Sequence, residues 1–174
     1  WFRQERSAED FRTISDRNRM VAFPYTKLMC SMIFTDQSSA VLMMSLAEAR
    51  RRKIPEEKYV YPVGFGEAYD LWYVTHRKNL YDSPCAKAAV DMALTQAGTQ
   101  LEEVDFLDLY SCFPCVPRIV RDALGIDPTD PRPLTVTGGM SNFGGPGNNY
   151  RLHAVCRLAE PLRAQPGKPG LTHS

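Results

Sequence analysis

Five of the chain's eleven glycines fall within Thr135–Tyr150, the run TVTGGMSNFGGPGNNY. The run lies between a short β-branched segment and an amphipathic one. A backbone that turns sharply, or is closely approached, must therefore lie where a strand gives way to a helix. Unpaired N–H groups at a helix start can hold an anion or a polarised carbonyl oxygen. The loop is thus the first candidate site, with Asn142, Asn148 and Asn149 as side-chain donors beside its amides. The competing reading is a tight turn that packs helix against sheet. A nucleotide fingerprint is excluded, because G-x-G-x-x-G is absent and no Walker lysine follows.

Around this loop the pattern alternates between strand and helix. Ala40–Met44 is a continuous apolar run, as in a strand buried on both faces. Ser45-Leu-Ala-Glu48 is a capping box, so a short helix should run through Arg50 to Lys53 and stop at Pro55. Tyr59–Gly66 reads as a second strand, with Pro62 favouring an edge or a bulge. Residues 67–81 form a polar and aromatic connection. Asp82-Ser-Pro-Cys85 then supplies a capping residue and a first-turn proline for a helix that places Cys85, Ala89, Met92 and Ala93 at helical spacing and ends at Gly98. Val104–Tyr110 alternates as a strand, Pro114–Leu124 is a helix closed by Gly125, and Pro133–Thr137 is the strand entering the glycine loop. The last helix runs from about Asn148 to Leu162, with Leu152, Val155, Ala159 and Leu162 on one side. Residues 1 to about 25, with Arg3, Arg6, Arg12, Arg17 and Arg19, read as surface coil or short helix. The whole predicts an α/β layered fold with helices on the sheet faces.

Composition narrows the function classes. With 44% apolar and 24% charged residues and a net charge of +1, the chain is of ordinary globular type. That charge gives no reason to expect nucleic acid or an acidic membrane as partner. No apolar run reaches the length of a membrane span. Five cysteines, an odd number, suit reduced thiols and a cytoplasmic location. The start on Trp1 and the close on Leu171-Thr-His-Ser174, after a Pro/Gly-rich hinge, suggest a piece of a longer polypeptide.

Two further places could carry chemistry. Cys112, just before a helix, should have a lowered thiol pKa through the helix dipole. With Cys115 it forms the C-x-x-C spacing of thiol–disulfide proteins, although small cysteines also fill tight strand-to-helix turns. His153, on the final helix, should lie near Tyr150 and Arg157, either as a structural residue or as a catalytic one.

Taken in order, several stretches resemble the thiolase superfamily, in its acetyl-CoA acetyltransferase or sterol-carrier-type branch. Thr35-Asp-Gln-Ser-Ser-Ala-Val-Leu-Met-Met-Ser45 is similar to the Asp-Gly-Ala-rich turn that enters a core strand. Asn79–Ala89 sits where thiolases have the turn opening a helix of the C-terminal domain. Val104-Asp-Phe-Leu-Asp-Leu-Tyr-Ser-Cys-Phe113 is similar to the strand ending in Asn-Glu-Ala-Phe or His-Asp-Cys-Phe. Gly138–Pro146 is similar to Gly-Gly-x-x-x-x-Gly-His-Pro.

The resemblance implies an αβαβα layered fold of two similar halves, this chain covering mainly the C-terminal one. It divides the chain into a linker or loop region (1–34), the end of the N-terminal half (35–58) and the C-terminal thiolase-like domain (59–174). It further implies a homo-oligomer, no cofactor beyond a coenzyme A thioester as substrate, and a missing N-terminal half holding the acyl-accepting cysteine. The implied chemistry is acyl transfer or Claisen condensation with oxyanion stabilisation. Cys112, Phe113, Gly144, Gly145 and Pro146 match site positions, and Asn148 follows as a further substrate-binding candidate. Gly145 stands in place of the family's histidine, and Tyr110 in place of Asn or His. Tyr110 or His153 is then the candidate replacement. The competing expectation is a thiolase-like protein that binds acyl-CoA or lipid, or scaffolds a partner, without catalysis.

Overall fold

The computed structural model describes residues 4–174; Arg3 lies outside them. Ser7 caps the first short helix, α1 (Ala8–Arg12), in a reciprocal box with Asp10. A small antiparallel hairpin follows, β1 (Met20–Ala22) and β2 (Tyr25–Thr26), turning through a cis Phe23–Pro24 bond. The buried side chain of Asn18 ties this region together. It donates to the carbonyls of Asp10, Phe11 and Thr13 and accepts from the Leu28 amide.

Ser45 caps α2 (Leu46–Arg51) by accepting from the Glu48 amide. The Glu48 carboxylate turns forward to Arg51 and Arg52 instead of closing the box. The helix ends two residues earlier than the expected Lys53. Ala40–Met44 and Tyr59–Gly66 are not strands: neither has ladder pairing among the described residues, and Leu42, Met43 and Phe65 are largely exposed. An apolar run becomes a strand only where another backbone pairs with it, and none does here.

The end of the second segment, residues 64–66, instead lies along α3 (Pro84–Ala97). A Cβ on Gly64 or Gly66 would come closer than 3.0 Å to the carbonyl of Ala93 or Ala89. The small residues Ala89, Ala93 and Ala97 thus receive this segment. The core-facing stripe is the neighbouring one, Ala86 and Val90, and Met92 points to solvent. Ser83, Pro84 and the left-handed Gly98 delimit the helix as their chemistry requires.

The centre is built on β3 (Phe106–Leu109), which leads into α4 (Cys115–Ala123). The glycine loop holds the single-turn helix α5 (Met140–Phe143), and beyond it comes α6 (Tyr150–Ala164). A final strand, β4 (Gly170–His173), pairs in parallel with β3 from Phe106↔Gly170 to Leu109↔His173. The expected strand Pro133–Thr137 shrinks to one bridge, Asp108↔Thr135, beside the Leu109 amide donating to the Leu134 carbonyl.

The period of two along β3 divides the layers. Leu107 and Leu109, wholly buried, join Ala86, Val90, Val120 and Leu124 of α3 and α4. Each such leucine contributes about 1.5–3 kcal/mol by leaving water. Asp108 faces the other way and bonds to Tyr150 of α6. The buried stripe of α6 is Tyr150, Ala154 and Leu158; Leu152 and Val155, expected inward, are exposed. Leu158 packs on Gly170, which seats α6 against β4.

A broad apolar belt remains outside this core. Within residues 33–81, Phe34, Leu42, Met43, Trp72 and Tyr81 are each more than three-quarters exposed.

Candidate functional site

The strand end 110–113 and the glycine loop 138–146 are neighbours. The Met140 amide donates to Ser111 Oγ at 3.2 Å. Beneath this contact lies a polar chain: Gly139 N–H donates to Thr137 Oγ1, which lies 2.7 Å from the Tyr150 hydroxyl. That hydroxyl donates to Asp108 Oδ1, while the Thr137 amide donates to Oδ2 at 2.9 Å. Burial raises the Asp108 carboxyl above its usual range despite these donors. Burial, then the Asp108 charge, pushes Tyr150 up to about 12. Sequence reasoning missed this anchor. The one available signal was an acidic residue at an inward position of an otherwise apolar strand.

A second tie joins the two stretches from outside. Residues 31–39 run as a strap across both. Ser31 N–H donates to the Cys112 carbonyl, Met32 N–H to the Met140 carbonyl, and Gly145 N–H to the Met32 carbonyl. Gln37 Nε2 then donates to the Phe143 carbonyl at 2.7 Å. A Cβ on Gly145 would fall on Ser31 Oγ, closer than 3.0 Å. One on Gly144, at φ 108°, would meet Gln37 and Thr35. These two glycines are therefore required by the strap that covers them.

The loop amides are not open donors. Gly144 N–H donates to the Met140 carbonyl and Gly145 N–H to that of Met32. The expected oxyanion pair is thus already satisfied within the chain. Pro146 leads into a 3₁₀ turn at Gly147–Asn149. Asn148 is exposed with no side-chain hydrogen bond among the described residues. Its neighbour Asn149 makes the contacts instead, donating to the Gln37 carbonyl and accepting from Ser39 Oγ. Asn142 bonds back to the Gly138 carbonyl.

Cys112 is half-buried, within hydrogen-bond reach of the Tyr110 hydroxyl. Its thiol pKa is raised by burial, not lowered. The helix begins only at Cys115, so desolvation outweighs any dipole effect at Cys112. Tyr110 is also raised by burial, and its ring meets Tyr150 edge-on at 6.3 Å. Phe113 packs on Tyr25 at 5.5 Å. The Tyr25 hydroxyl is raised chiefly by its hydrogen bond with Cys115. Cys112 and Cys115 are both free thiols.

His153 faces a groove of about 300 Å³ whose lining does not include Cys112. It shares that lining with Asp36, Gln37, Ser38 and Phe143, and its ring meets Phe143 edge-on at 5.5 Å. Asn149 Nδ2 lies 3.2 Å from His153 Nε2. Because Asn149 is oriented by Gln37 and Ser39, its NH₂ faces the imidazole. Nε2 is therefore the acceptor, and the ring proton sits on Nδ1. Burial lowers the His153 pKa. A larger cleft of about 550 Å³, beside Asp105, Leu107, Arg132 and Val136, holds none of the expected site residues. Among the described residues no group of three His, Cys, Asp or Glu side chains could hold a metal, and no helix is long and apolar enough to cross a membrane.

No protein-family model and no curated protein matches the sequence. Among solved structures, the chain is similar to a monomeric SCP2-thiolase like protein type 1 from Mycobacterium smegmatis, with 38% identity and a TM-score of 0.85. The match covers 97% of this chain and 37% of that one. The fold is thiolase-like.

Proposed function

We propose that this chain forms one wall of an acyl-CoA thioester cleft in a longer thiolase-like protein, whose reaction is acyl transfer or Claisen condensation on coenzyme A thioesters. The observation that carries the reading is the seam itself. The strand end bearing Tyr110 and Cys112 and the proline-bearing glycine loop are bonded side by side, through Ser111 and Met140 and through the strap. The likeness to an SCP2-thiolase like protein over nearly the whole chain supports the same reading. So does the exposed apolar belt at 33–81, which the remainder of a longer polypeptide would cover. A self-associating chain would cover it equally, but the similar protein is described as monomeric.

A second reading, thioester binding without turnover, is favoured by the loop itself. Gly145 carries no side chain, its amide is occupied, and burial raises the Cys112 thiol pKa. The full-length protein incubated with acetyl-CoA and acetoacetyl-CoA distinguishes the two. Acyl transfer gives a covalent acyl adduct by mass spectrometry together with CoA release. Calorimetric binding of acetyl-CoA with neither signal establishes the second reading. Absence of both binding and turnover defeats both.

A further inference from the structure

Ser31 was given no role by the sequence, yet it occupies the seam between the two walls. Its hydroxyl oxygen lies where a side chain on Gly145 would project. We propose that the Ser31 hydroxyl is a ligand-binding donor of this site, taking the carbonyl oxygen of a bound thioester where the glycine loop itself carries no side chain. The proposal rests on the acyl-CoA reading above.

Three observations support the role. The first is availability. The loop amides and the Gln37 side-chain amide are committed: Gly139 to Thr137, Met140 to Ser111, Gly144 to Met140, Gly145 to Met32, and Gln37 Nε2 to Phe143. Thr35 Oγ1 also lacks a partner among the described residues but is fully withdrawn from solvent beside Gly144. The half-buried Ser31 hydroxyl has no hydrogen-bond partner among the described residues.

The second is rigidity of the mount. The Ser31 amide is fixed to the Cys112 carbonyl at 3.1 Å. Met32 is fixed in both directions, donating to Met140 and accepting from Gly145. Both walls therefore hold the Ser31 backbone, and only the hydroxyl rotor is free to choose its acceptor. A donor held this way is pre-organised for an oxygen entering the seam.

The third is chemistry. A hydroxyl is a neutral donor that suits an uncharged carbonyl oxygen. Unlike an imidazole, it does not titrate near neutrality, so its contribution should not vary with pH there.

The test compares acetyl-CoA with S-ethyl-CoA, a thioether of similar size lacking the carbonyl oxygen, on the full-length protein by calorimetry. Wild type should favour acetyl-CoA. Ser31→Ala and Ser31→Gly should each reduce that preference by roughly three- to tenfold, the loss of one neutral hydrogen bond, and leave S-ethyl-CoA affinity unchanged. Retention of S-ethyl-CoA binding also reports that the variants are folded. If wild type favours acetyl-CoA and both variants keep the full preference, Ser31 is not the donor, and the acyl-CoA reading stands without it. If wild type binds neither compound, the acyl-CoA reading falls and the Ser31 role falls with it.

Discussion

The Tyr150 hydroxyl donates to the Asp108 carboxylate at 3.2 Å, and both residues are almost wholly withdrawn from solvent. This pair joins the central strand to the final helix directly under the glycine loop. Tyr150→Phe keeps the ring but leaves one carboxylate oxygen and the Thr137 hydroxyl short of a partner. The expected cost is about 1–3 kcal/mol of stability, read from urea unfolding. An unchanged midpoint would show that the pair does not anchor the loop.

The pH dependence of the same pair has a definite sign. The Asp108 pKa is raised in the folded state, so over the window between its ordinary value and that raised value the folded chain binds more protons than the unfolded one. Its contribution to stability therefore declines as pH rises through that window and is flat above it. Wild type compared with Asp108→Asn should show this decline. An advantage that grows with pH would contradict it.

His153 should behave in the opposite sense. Burial depresses its folded pKa, so the stability it contributes is present above the unfolded value of about 6.5 and is lost as pH falls through the folded pKa. Nitrogen-15 NMR at neutral pH should find the proton on Nδ1. A proton on Nε2 would mean that Asn149 is turned the other way.

Ser31 and Gly145 should also be coupled through space. Gly145→Ala forces its new methyl onto the serine oxygen and is expected to cost about 1–3 kcal/mol. Adding Ser31→Gly should recover much of that loss. Independent, additive effects in the double-mutant cycle would show that the two do not compete for one volume.

Gly64→Ala and Gly66→Ala should loosen residues 64–66 from α3, because each methyl collides with a helix carbonyl. Hydrogen exchange would rise at the Phe65 amide, which donates to Gln96 Oε1. Unaltered protection there would mean that the segment does not depend on this close approach.

Features governed by local chemistry were legible in the sequence. Ser83, Pro84 and Gly98 bound α3 because capping is decided within a few residues. The strand through Leu107 and Leu109 was legible from its alternation. The strand Gly170–His173 was not, because four residues after a Pro/Gly stretch become a strand only by pairing with β3. Ala40–Met44 and Tyr59–Gly66 failed in the converse way, being strand-like in composition but unpaired in space. At the site, Cys112 and the glycine loop were legible as neighbours. The thiol shift at Cys112 had the wrong sign because desolvation depends on tertiary packing, and Asn148 was favoured where Asn149 makes the contacts. Ser31 gave no signal, since its place beside Gly145 arises wholly from the path of the strap.

The parallel pairing of β3 with β4 has a consequence for how the protein is made. Between those strands lie the Cys112 turn, the glycine loop and α6, so every site segment except the strap is enclosed by one long closure. During synthesis on the ribosome these pieces would emerge before β4, the strand that pairs with β3 and receives Leu158 of α6, and they must wait for it. Deletion of Gly170–His173 alone would therefore remove few residues, yet leave α6 without one of the two strands it packs on.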